Sequence, residues 1–174
     1  TQAQALLTLA DFEALPNSDD LEIDEGTLIE MSASKFGNQA VSQNVLEVLL
    51  DAARAAKAGR VYREMPYLLS QDPAILRKPD VSFLSVDRIR SASSNEYVQG
   101  SPELVVEVVS PSDSAEGLER KTRQYFEAGA KLAWHIYPET RTVHAYRADG
   151  SAAVLDQKGA LTAPELFAGW STPV

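Results

Sequence analysis

The chain has 174 residues, 44% of them hydrophobic, and carries a formal net charge of -9 at pH 7. This size and apolar content favour a single domain over residues 1–174, and no apolar run approaches the roughly 20 residues that a membrane-spanning helix needs. The N-terminus shows no signal-peptide pattern, so we expect a soluble, cytoplasmic protein that does not bind a membrane. The acidic balance argues against nucleic-acid binding by the whole surface, although a local basic groove remains open.

Periodicity and turn residues predict a helix, a hairpin and a longer helix in the first part of the chain. Thr8 is placed as the N-cap of a short helix over residues 8–15. A hairpin that turns at Gly26 follows. Apolar residues then recur at helical spacing over residues 38–57, and Gly59 supplies a C-terminal stop signal.

The remaining sequence predicts strands on both sides of one further helix. This helix starts at Asp113, which is spaced with Glu116 as a capping box, and ends near Ala128. Strands before and after a crossover helix predict an α/β fold with a mixed β-sheet flanked by helices. The predicted strands cover residues 21–23, 27–31, 60–63, 67–70, 81–84, 104–109, 132–137 and 142–147, with one more after Asp149 and Gly150.

One acidic residue interrupts an otherwise apolar strand. Glu107 lies in the run LVVEVV, residues 104–109, whose pattern is typical of a central strand covered on both faces. A carboxylate buried without a partner is costly, so Glu107 needs a cation. On the following helix a step of about 100° per residue turns Lys121 towards the sheet, whereas Arg120 and Arg123 point away. We therefore expect Lys121 to approach Glu107.

A second acidic residue stands at the start of another apolar strand. Asp80 follows Pro79 and precedes the strand over residues 81–84. If this strand neighbours the strand of Glu107, the two carboxylates converge and supply hard oxygen ligands of the kind that hold Mg²⁺ together with waters. An ammonium beside them can orient a metal-bound water and stabilise the charge that builds on a phosphate under attack.

Each of these residues also has a structural interpretation. Glu107 and Lys121 can form a buried ion pair without a chemical role, and Asp80 can simply cap a turn. Tyr125 either packs in the core or touches a substrate. The other polar residues nearby are interpreted as loop or capping residues, namely Ser110, Ser112 and Asp113, and as surface histidines without metal-ligand spacing, namely His135 and His144.

Short motifs follow one another in a fixed order along nearly the whole chain. They are TLADF at residues 8–12, LP at 15–16, LEI at 21–23 followed by Gly26 and Met31-Ser32, R-x-PDV at 77–81, LVVEV at 104–108, SPS at 110–112, K-x3-Y-x3-G at 121–129 and W-x-x-YP at 134–138. In this order and spacing they resemble the Uma-two family of bacterial proteins, which is assigned to the restriction-endonuclease-like PD-(D/E)xK superfamily.

The resemblance implies a restriction-endonuclease-like core with an N-terminal helix and β-hairpin and a C-terminal β-hairpin extension. In such a core Asp80 and Glu107 would bind the divalent metal, Mg²⁺ or Mn²⁺, and the carbonyl of Val108 would complete the ligand set. The superfamily pattern places the lysine two residues after the acid, at Val109. Here the family-like lysine is instead Lys121, on the following helix, which is tolerable because the chemistry requires only an ammonium near the metal-bound water.

The resulting hypothesis is a metal-dependent endonuclease that hydrolyses phosphodiester bonds of nucleic acid, DNA in particular, and the superfamily resemblance implies a homodimer. Asn38 stands where relatives often carry histidine, which puts a proton-transfer role for that position in doubt. The alternative is a non-catalytic binding or regulatory module that keeps the nuclease fold. On the first hypothesis the catalytic residues are Asp80, Glu107 and Lys121, and the substrate-binding residues are Arg77, Lys78 and Tyr125.

Overall fold

The secondary structure alternates between helices and short strands in this computed structural model, which describes residues 6–31 and 35–174. Within these ranges the α-helices are Leu9–Glu13 (α1), Phe36–Ala56 (α2), Val86–Ser91 (α3) and Ala115–Glu127 (α4). The strands are Leu21–Asp24 (β1), Thr27–Glu30 (β2), Gly59–Arg63 (β3), Tyr67–Gln71 (β4), Ala74–Arg77 (β5), Val81–Ser85 (β6), Val98–Gln99 (β7), Leu104–Val108 (β8), Leu132–Tyr137 (β9), Thr142–Arg147 (β10), Ala152–Leu155 (β11), Ala160–Thr162 (β12) and Ser171–Pro173 (β13). None of the helices in the described ranges is long and apolar enough to cross a membrane. Ser32, which belongs to one of the motifs above, lies outside the described residues.

The strands are divided between two larger sheets and a small one. The first larger sheet has the strand order β11-β10-β9-β8-β6-β3, and the second has the order β2-β1-β5-β4-β7. In the first sheet β8 and β9 run parallel and are joined through α4, whereas the other neighbours run antiparallel. The small sheet pairs β12 with β13. The mixed α/β architecture predicted from the sequence is therefore confirmed, although its strands form more than one sheet.

The first larger sheet is covered on both faces, which explains the apolar run of β8. On one face Val106 packs in a cluster with Leu49 of α2, and on the other Val105 packs with Tyr125 of α4. Because side chains alternate along a strand, Glu107 projects from the same face as Val105, towards α4. All five residues of β8 are buried.

The second larger sheet brings the N-terminal hairpin β1–β2 alongside β5. Ile23 of β1 pairs with Leu76 of β5, and both side chains are fully buried with Phe12 of α1. The residues on either side of Ile23 project from the opposite face of β1. Those residues are Glu22 and Asp24, and both are buried.

Two residues predicted as helix boundary signals have other roles in the structure, and the first is Gly59. The helix α2 ends at Ala56, and the backbone of its C-cap residue Lys57 adopts the left-handed conformation with φ of 50°. Gly59 begins β3, where an added Cβ would collide with the main-chain carbonyl of Leu84 on β6. The glycine is therefore required by the close approach of two strands and does not end the helix.

The second such residue is Asp113, before the start of α4. The N-cap is Ser114, whose hydroxyl accepts a hydrogen bond from the backbone N–H of Gly117. Asp113 instead accepts hydrogen bonds from the backbone N–H and the hydroxyl of Ser110, and so closes the preceding loop. By contrast, Thr8 caps α1 as predicted. The short elements β5, α3, β7, β12 and β13 were not predicted, because strands of two to four residues and a helix of six residues leave little periodicity to detect.

Candidate active site

The pairing of β6 with β8 brings two carboxylates together at one end of the first larger sheet. Val81 lies opposite Val106, so Asp80, the residue before β6, comes level with Glu107. The carboxylate of Asp80 accepts a hydrogen bond of 2.6 Å from the backbone N–H of Val108. Asp80 and Glu107 therefore lie side by side, as expected if their strands are neighbours.

The helix α4 supplies the cation that Glu107 needs. The Nζ atom of Lys121 lies 3.2 Å from Oε1 of Glu107 and 3.1 Å from Oε1 of Glu22. Tyr125, one helical turn further on, donates its hydroxyl to the same Oε1 of Glu107 over 2.9 Å. Since Oε2 of Glu107 accepts no hydrogen bond from the described residues, one oxygen of this carboxylate is left for another partner.

The surroundings of Glu107, Asp80 and Lys121 shift the pKa of each of these three groups. Burial raises the pKa of Glu107 to about 7, and the nearby Asp80 adds to this, although Lys121 acts in the opposite sense. Burial also raises the pKa of Asp80, despite the hydrogen bond from Val108. For Lys121, burial acts to lower the pKa, but the carboxylates of Glu107 and Glu22 outweigh it and raise the pKa above its ordinary value. Lys121 is therefore an ammonium at neutral pH, and a cation near Asp80 and Glu107 would favour their ionised forms.

A buried ionic network behind Lys121 joins the N-terminal hairpin to α4. The guanidinium of Arg77 lies 3.1 Å from Oε2 of Glu22 and 2.7 Å from Oδ1 of Asp24. The amide oxygen of Gln124 accepts two hydrogen bonds from Arg77, at 2.7 and 3.0 Å, and its amide nitrogen donates to Asp24 over 2.8 Å. These four side chains are between 3% and 6% exposed, so the network is almost entirely buried.

The two acids of this network differ from Glu107 in their protonation. Burial acts to raise the pKa of Glu22, but Lys121 and Arg77 outweigh it and hold the pKa below its ordinary value. Burial is likewise outweighed at Asp24, chiefly by the hydrogen bond from Gln124 and the charge of Arg77, and the pKa is lowered. Both acids are therefore ionised at neutral pH and fix the positions of the cations around them.

Sequence reasoning did not identify Glu22, Asp24 and Gln124 as site residues. The available signal was the strand LEID, residues 21–24, in which two acids two residues apart share one face of a strand whose other face is apolar. That pattern alone is also typical of a solvated strand edge. What distinguishes this strand from a solvated edge is the contact of its two acids with Arg77 and Lys121. Only the folded chain brings these residues together.

Asp80, Glu107 and Lys121 line a cleft of about 690 Å³ between α4, the hairpin β1–β2 and the start of α2. The loop after β8, residues 110–114, and Asn38 of α2 both line it. The floor is polar and the cleft is open, so a solute can reach the carboxylates of Asp80 and Glu107. The lining side chains with a positive charge are Lys35, Arg77, Lys78, Arg120 and Lys121.

The residues predicted to bind substrate are largely occupied by other contacts. Arg77 donates to the buried network, and the ammonium of Lys78 donates to the carbonyls of Ser18 and Asp19 at 2.9 and 2.8 Å. Both line the cleft, but a phosphate would have to compete with these contacts. Tyr125 is only 1% exposed, so of its two alternatives the structure favours packing, with a hydrogen bond that orients Glu107.

Two residues predicted to face solvent make internal contacts instead. The guanidinium of Arg120 lies 2.8 Å from Oδ2 of Asp24. The side of α4 that was predicted to face solvent is here next to β1. His135 is 4% exposed, and its Nε2 lies 2.8 Å from the hydroxyl of Thr122 on α4. His135 does project from the face of β9 opposite to Trp134, as predicted, but both faces of the strand are covered. Burial lowers the pKa of His135 to about 4, whereas His144 on the next strand is half-buried.

The oxygen donors of the site fit a hydrated divalent cation. Within the described ranges, residues 6–31 and 35–174, no group of three His, Cys, Asp or Glu side chains is arranged to hold a metal ion. The donor set consists of two carboxylates, Asp80 and Glu107, beside the main chain of Val108. Mg²⁺ is commonly bound by one or two carboxylates with waters and substrate phosphates completing its shell. The site therefore fits Mg²⁺ or Mn²⁺ of that kind and does not fit a closed, fully protein-ligated metal site.

Comparisons with known proteins agree with the motifs and the fold. The chain is similar to a solved structure described as "Crystal structure of a putative nuclease belonging to DUF820 from Anabaena variabilis ATCC 29413", with a TM-score of 0.83 and 20% identity over 96% of this chain and 94% of that chain. No curated protein matches the sequence. The Uma2 family model, described as "Putative restriction endonuclease", matches residues 9–174. Since this match covers nearly the whole sequence, the chain belongs to the Uma2 family, the Uma-two family that its motifs resemble.

Proposed function

We propose that the protein is a metal-dependent nuclease that hydrolyses phosphodiester bonds of nucleic acid, DNA in particular, in the cleft above Asp80 and Glu107. The observation that carries the proposal is the meeting of Asp80, Glu107 and Lys121 in an open cleft, where they are brought together by the start of β6, by β8 and by α4. The family description and the description of the solved relative both support a nuclease.

Asp80 and Glu107 would hold the cation, Mg²⁺ or Mn²⁺, beside the main chain of Val108. When bound, such a cation lowers the pKa of a coordinated water and offsets negative charge on the phosphate. The protein prepares its ligands for this role, because Val108 fixes one oxygen of Asp80 and Tyr125 fixes Oε1 of Glu107. The oxygens that are not fixed are the ones left for the cation.

Lys121 would act as a charged group and not as a base. Its pKa is raised by the carboxylates of Glu107 and Glu22, so the ammonium does not give up its proton near neutral pH. An ammonium in this position can orient the attacking water and stabilise the charge that develops on the phosphate. Delivery from α4 therefore supplies the same chemical group that the superfamily pattern delivers from the strand.

The phosphate contacts fall to the more exposed cations of the cleft. Because Arg77 is enclosed by Glu22, Asp24 and Gln124, we propose that it positions these residues. Arg120 and Lys35 line the same cleft and reach solvent, and are better placed to contact the substrate backbone. A homodimer that cuts both strands of a duplex is part of the proposal and rests on the superfamily resemblance.

One observation favours the alternative of a non-catalytic module. Lys121 is shared between Glu22 and Glu107 in an arrangement that satisfies its charge without any ligand. A module of this kind would bind a partner through the cleft or another surface and would need no metal. The two functions differ in whether Asp80 and Glu107 bind a divalent cation.

A nuclease assay tests the proposal directly. Purified protein is incubated with Mg²⁺ or Mn²⁺ and with single-stranded, duplex and branched DNA, and the products are resolved on a denaturing gel. We expect cleavage that Glu107→Gln and Asp80→Asn each reduce by at least about a hundredfold. Glu47→Gln is the matched control, because Glu47 is exposed on α2 and contacts Gln43. Intact DNA under all conditions, or equal cleavage by Glu107→Gln and the parent, would make the proposal wrong.

A further inference from the structure

Three partly exposed aromatic side chains form a row on the first larger sheet, beside α4. The row consists of Tyr137 on β9 and of His144 and Tyr146 on β10, each half-buried. The ring centroids of Tyr137 and His144 lie 4.5 Å apart, and those of His144 and Tyr146 lie 6.5 Å apart. We call these three residues the aromatic row. Nothing in the proposed chemistry of the cleft uses them.

The strand register places the aromatic row on the same face of the sheet as Glu107. In the pair β8–β9 Glu107 is level with His135, and in the pair β9–β10 His135 is level with His144. Side chains at paired positions project from one face. Because neighbouring strands are about 4.8 Å apart, the backbone of His144 lies roughly 10 Å from that of Glu107. A polymer held at Glu107 can therefore reach the row within a few monomer units.

The aromatic row begins at the side of the cleft. Tyr137 directly follows Ile136, whose register partner Val108 lines the cleft. The loop that carries Asp113 lines the cleft as well, and burial, Tyr146 and the charge of Asp113 together raise the pKa of Tyr137. Tyr137 therefore lies near the loop over residues 110–114 that borders the cleft, and the row continues from Tyr137 along β10.

The negative charge of the protein limits which ligands can bind along the cleft and the aromatic row. The chain carries a formal net charge of -9, and six acidic side chains line the cleft beside its five cations. A ligand held by its phosphates alone would therefore be repelled over most of the surface. Aromatic side chains offer a different attraction, because nucleobases stack on them regardless of base identity. Bases are free to do so in a single strand, whereas in a duplex they stack on one another. The row therefore fits unpaired bases better than a double helix.

We propose that the aromatic row is a stacking subsite for unpaired bases of a single-stranded nucleic acid whose backbone enters the cleft. The inference rests on the proposed function and names its substrate class. The backbone would pass Lys35 and Arg120 in the cleft, and the bases on one side of the cleavage point would stack on Tyr137 and His144. The site then selects single strands, or single-stranded tails and flaps, over continuous duplex.

Binding measurements on the full chain test this inference without requiring catalysis. Fluorescence anisotropy in EDTA compares a labelled oligothymidylate, an abasic strand of the same length and a duplex of the same length. We expect the oligothymidylate to bind at least about tenfold more tightly than the abasic strand or the duplex. Tyr137→Ala and His144→Ala should each lower its affinity by about five- to tenfold and leave the affinity for the abasic strand unchanged. Tyr137→Phe keeps the ring and should keep the affinity, and thermal melts show that each variant is folded.

The outcomes of this experiment separate a failure of the stacking subsite from a failure of the proposed nuclease. Unchanged affinity of folded Tyr137→Ala and His144→Ala for the oligothymidylate overturns the inference. It is also overturned if light scattering shows that these variants change the oligomeric state and not the affinity, because the row would then be a protein interface. Cleavage of duplex without preference for single strands leaves the proposed nuclease standing and removes the subsite. If the parent protein neither binds nor cuts any nucleic acid, both proposals fail.

Discussion

The ammonium nitrogen of Lys121 lies 3.2 Å from Oε1 of Glu107, across the interface between α4 and the central strand β8. This contact explains how a carboxylate is retained in a strand that is otherwise apolar, because an unpaired charge at that depth would be costly. The pair also lies at the floor of an open cleft beside Asp80. Its two possible roles, structural and chemical, make different predictions for variants of the same residues.

Replacement of Lys121 by methionine should destabilise the protein by about 3 kcal/mol near pH 8, the lower end of the range for breaking a buried pair, because Glu107 can take up a proton. The loss should shrink at lower pH. The pKa of Glu107 is about 7 in the folded protein against an ordinary 4.5, so stability falls as the pH rises through that window. Because Lys121 acts to lower the pKa of Glu107, its removal raises that pKa further in the folded protein. The pH range over which stability falls is then wider.

Urea denaturation of the parent and of Lys121→Met at several pH values measures this effect. Lys121→Arg keeps the positive charge and serves as the control, and it should show a smaller loss. A loss in Lys121→Met that is independent of pH would show that Glu107 does not respond to the missing ammonium.

Glu107→Gln should abolish binding of Mg²⁺ or Mn²⁺ with little change in stability. The variant keeps the shape and the hydrogen-bond acceptor for Tyr125, and Lys121 keeps its contact with Glu22. Calorimetric titration with the metal, alongside a thermal melt of each protein, checks both parts. No metal binding by the parent, together with a marked drop in melting temperature for the variant, would identify Glu107 and Lys121 as a core ion pair.

Arg77→Met should destabilise the protein by about 3 to 5 kcal/mol, because it removes the buried guanidinium that contacts both Glu22 and Asp24. Arg120 contacts the same Asp24, but its side chain is 46% exposed, so Arg120→Met should cost less than about 1 kcal/mol. The two free energies of unfolding, measured by urea denaturation, form a matched comparison. Equal losses would contradict the assignment of Arg77 as the centre of the network.

His135 should make the protein less stable as the pH falls from neutral towards 5. Its pKa is about 4 in the folded protein against an ordinary 6.5, so the unfolded state binds the extra proton in this window. The expected contribution at pH 5 is a loss of about 2 kcal/mol. In His135→Gln this part of the pH dependence should disappear. Unfolding curves of both proteins at matched pH values give the difference, and parallel curves would show that His135 is accessible to protons when folded.

The sequence by itself identified the features that depend on local pattern. The apolar run around Glu107 indicated a covered central strand, and the helical spacing after it turned Lys121 towards that strand, because both periodicities are fixed by backbone geometry. Asp80 was placed at the start of its strand by the proline before it. The order of these motifs also indicated the family, which the family model confirms.

Only the tertiary structure revealed the buried network of Glu22, Asp24, Arg77 and Gln124 behind Lys121. Gln124 and Asp24, which share a hydrogen bond, are 100 residues apart, and the contact exists because β1 pairs with β5 in one sheet while α4 packs on another. The same packing buries His135, whose strand pattern alone does not tell whether its face is covered by a helix. Local patterns fix which way a side chain points along its own element, whereas what it meets depends on contacts between distant segments, and these form only when the sheets assemble.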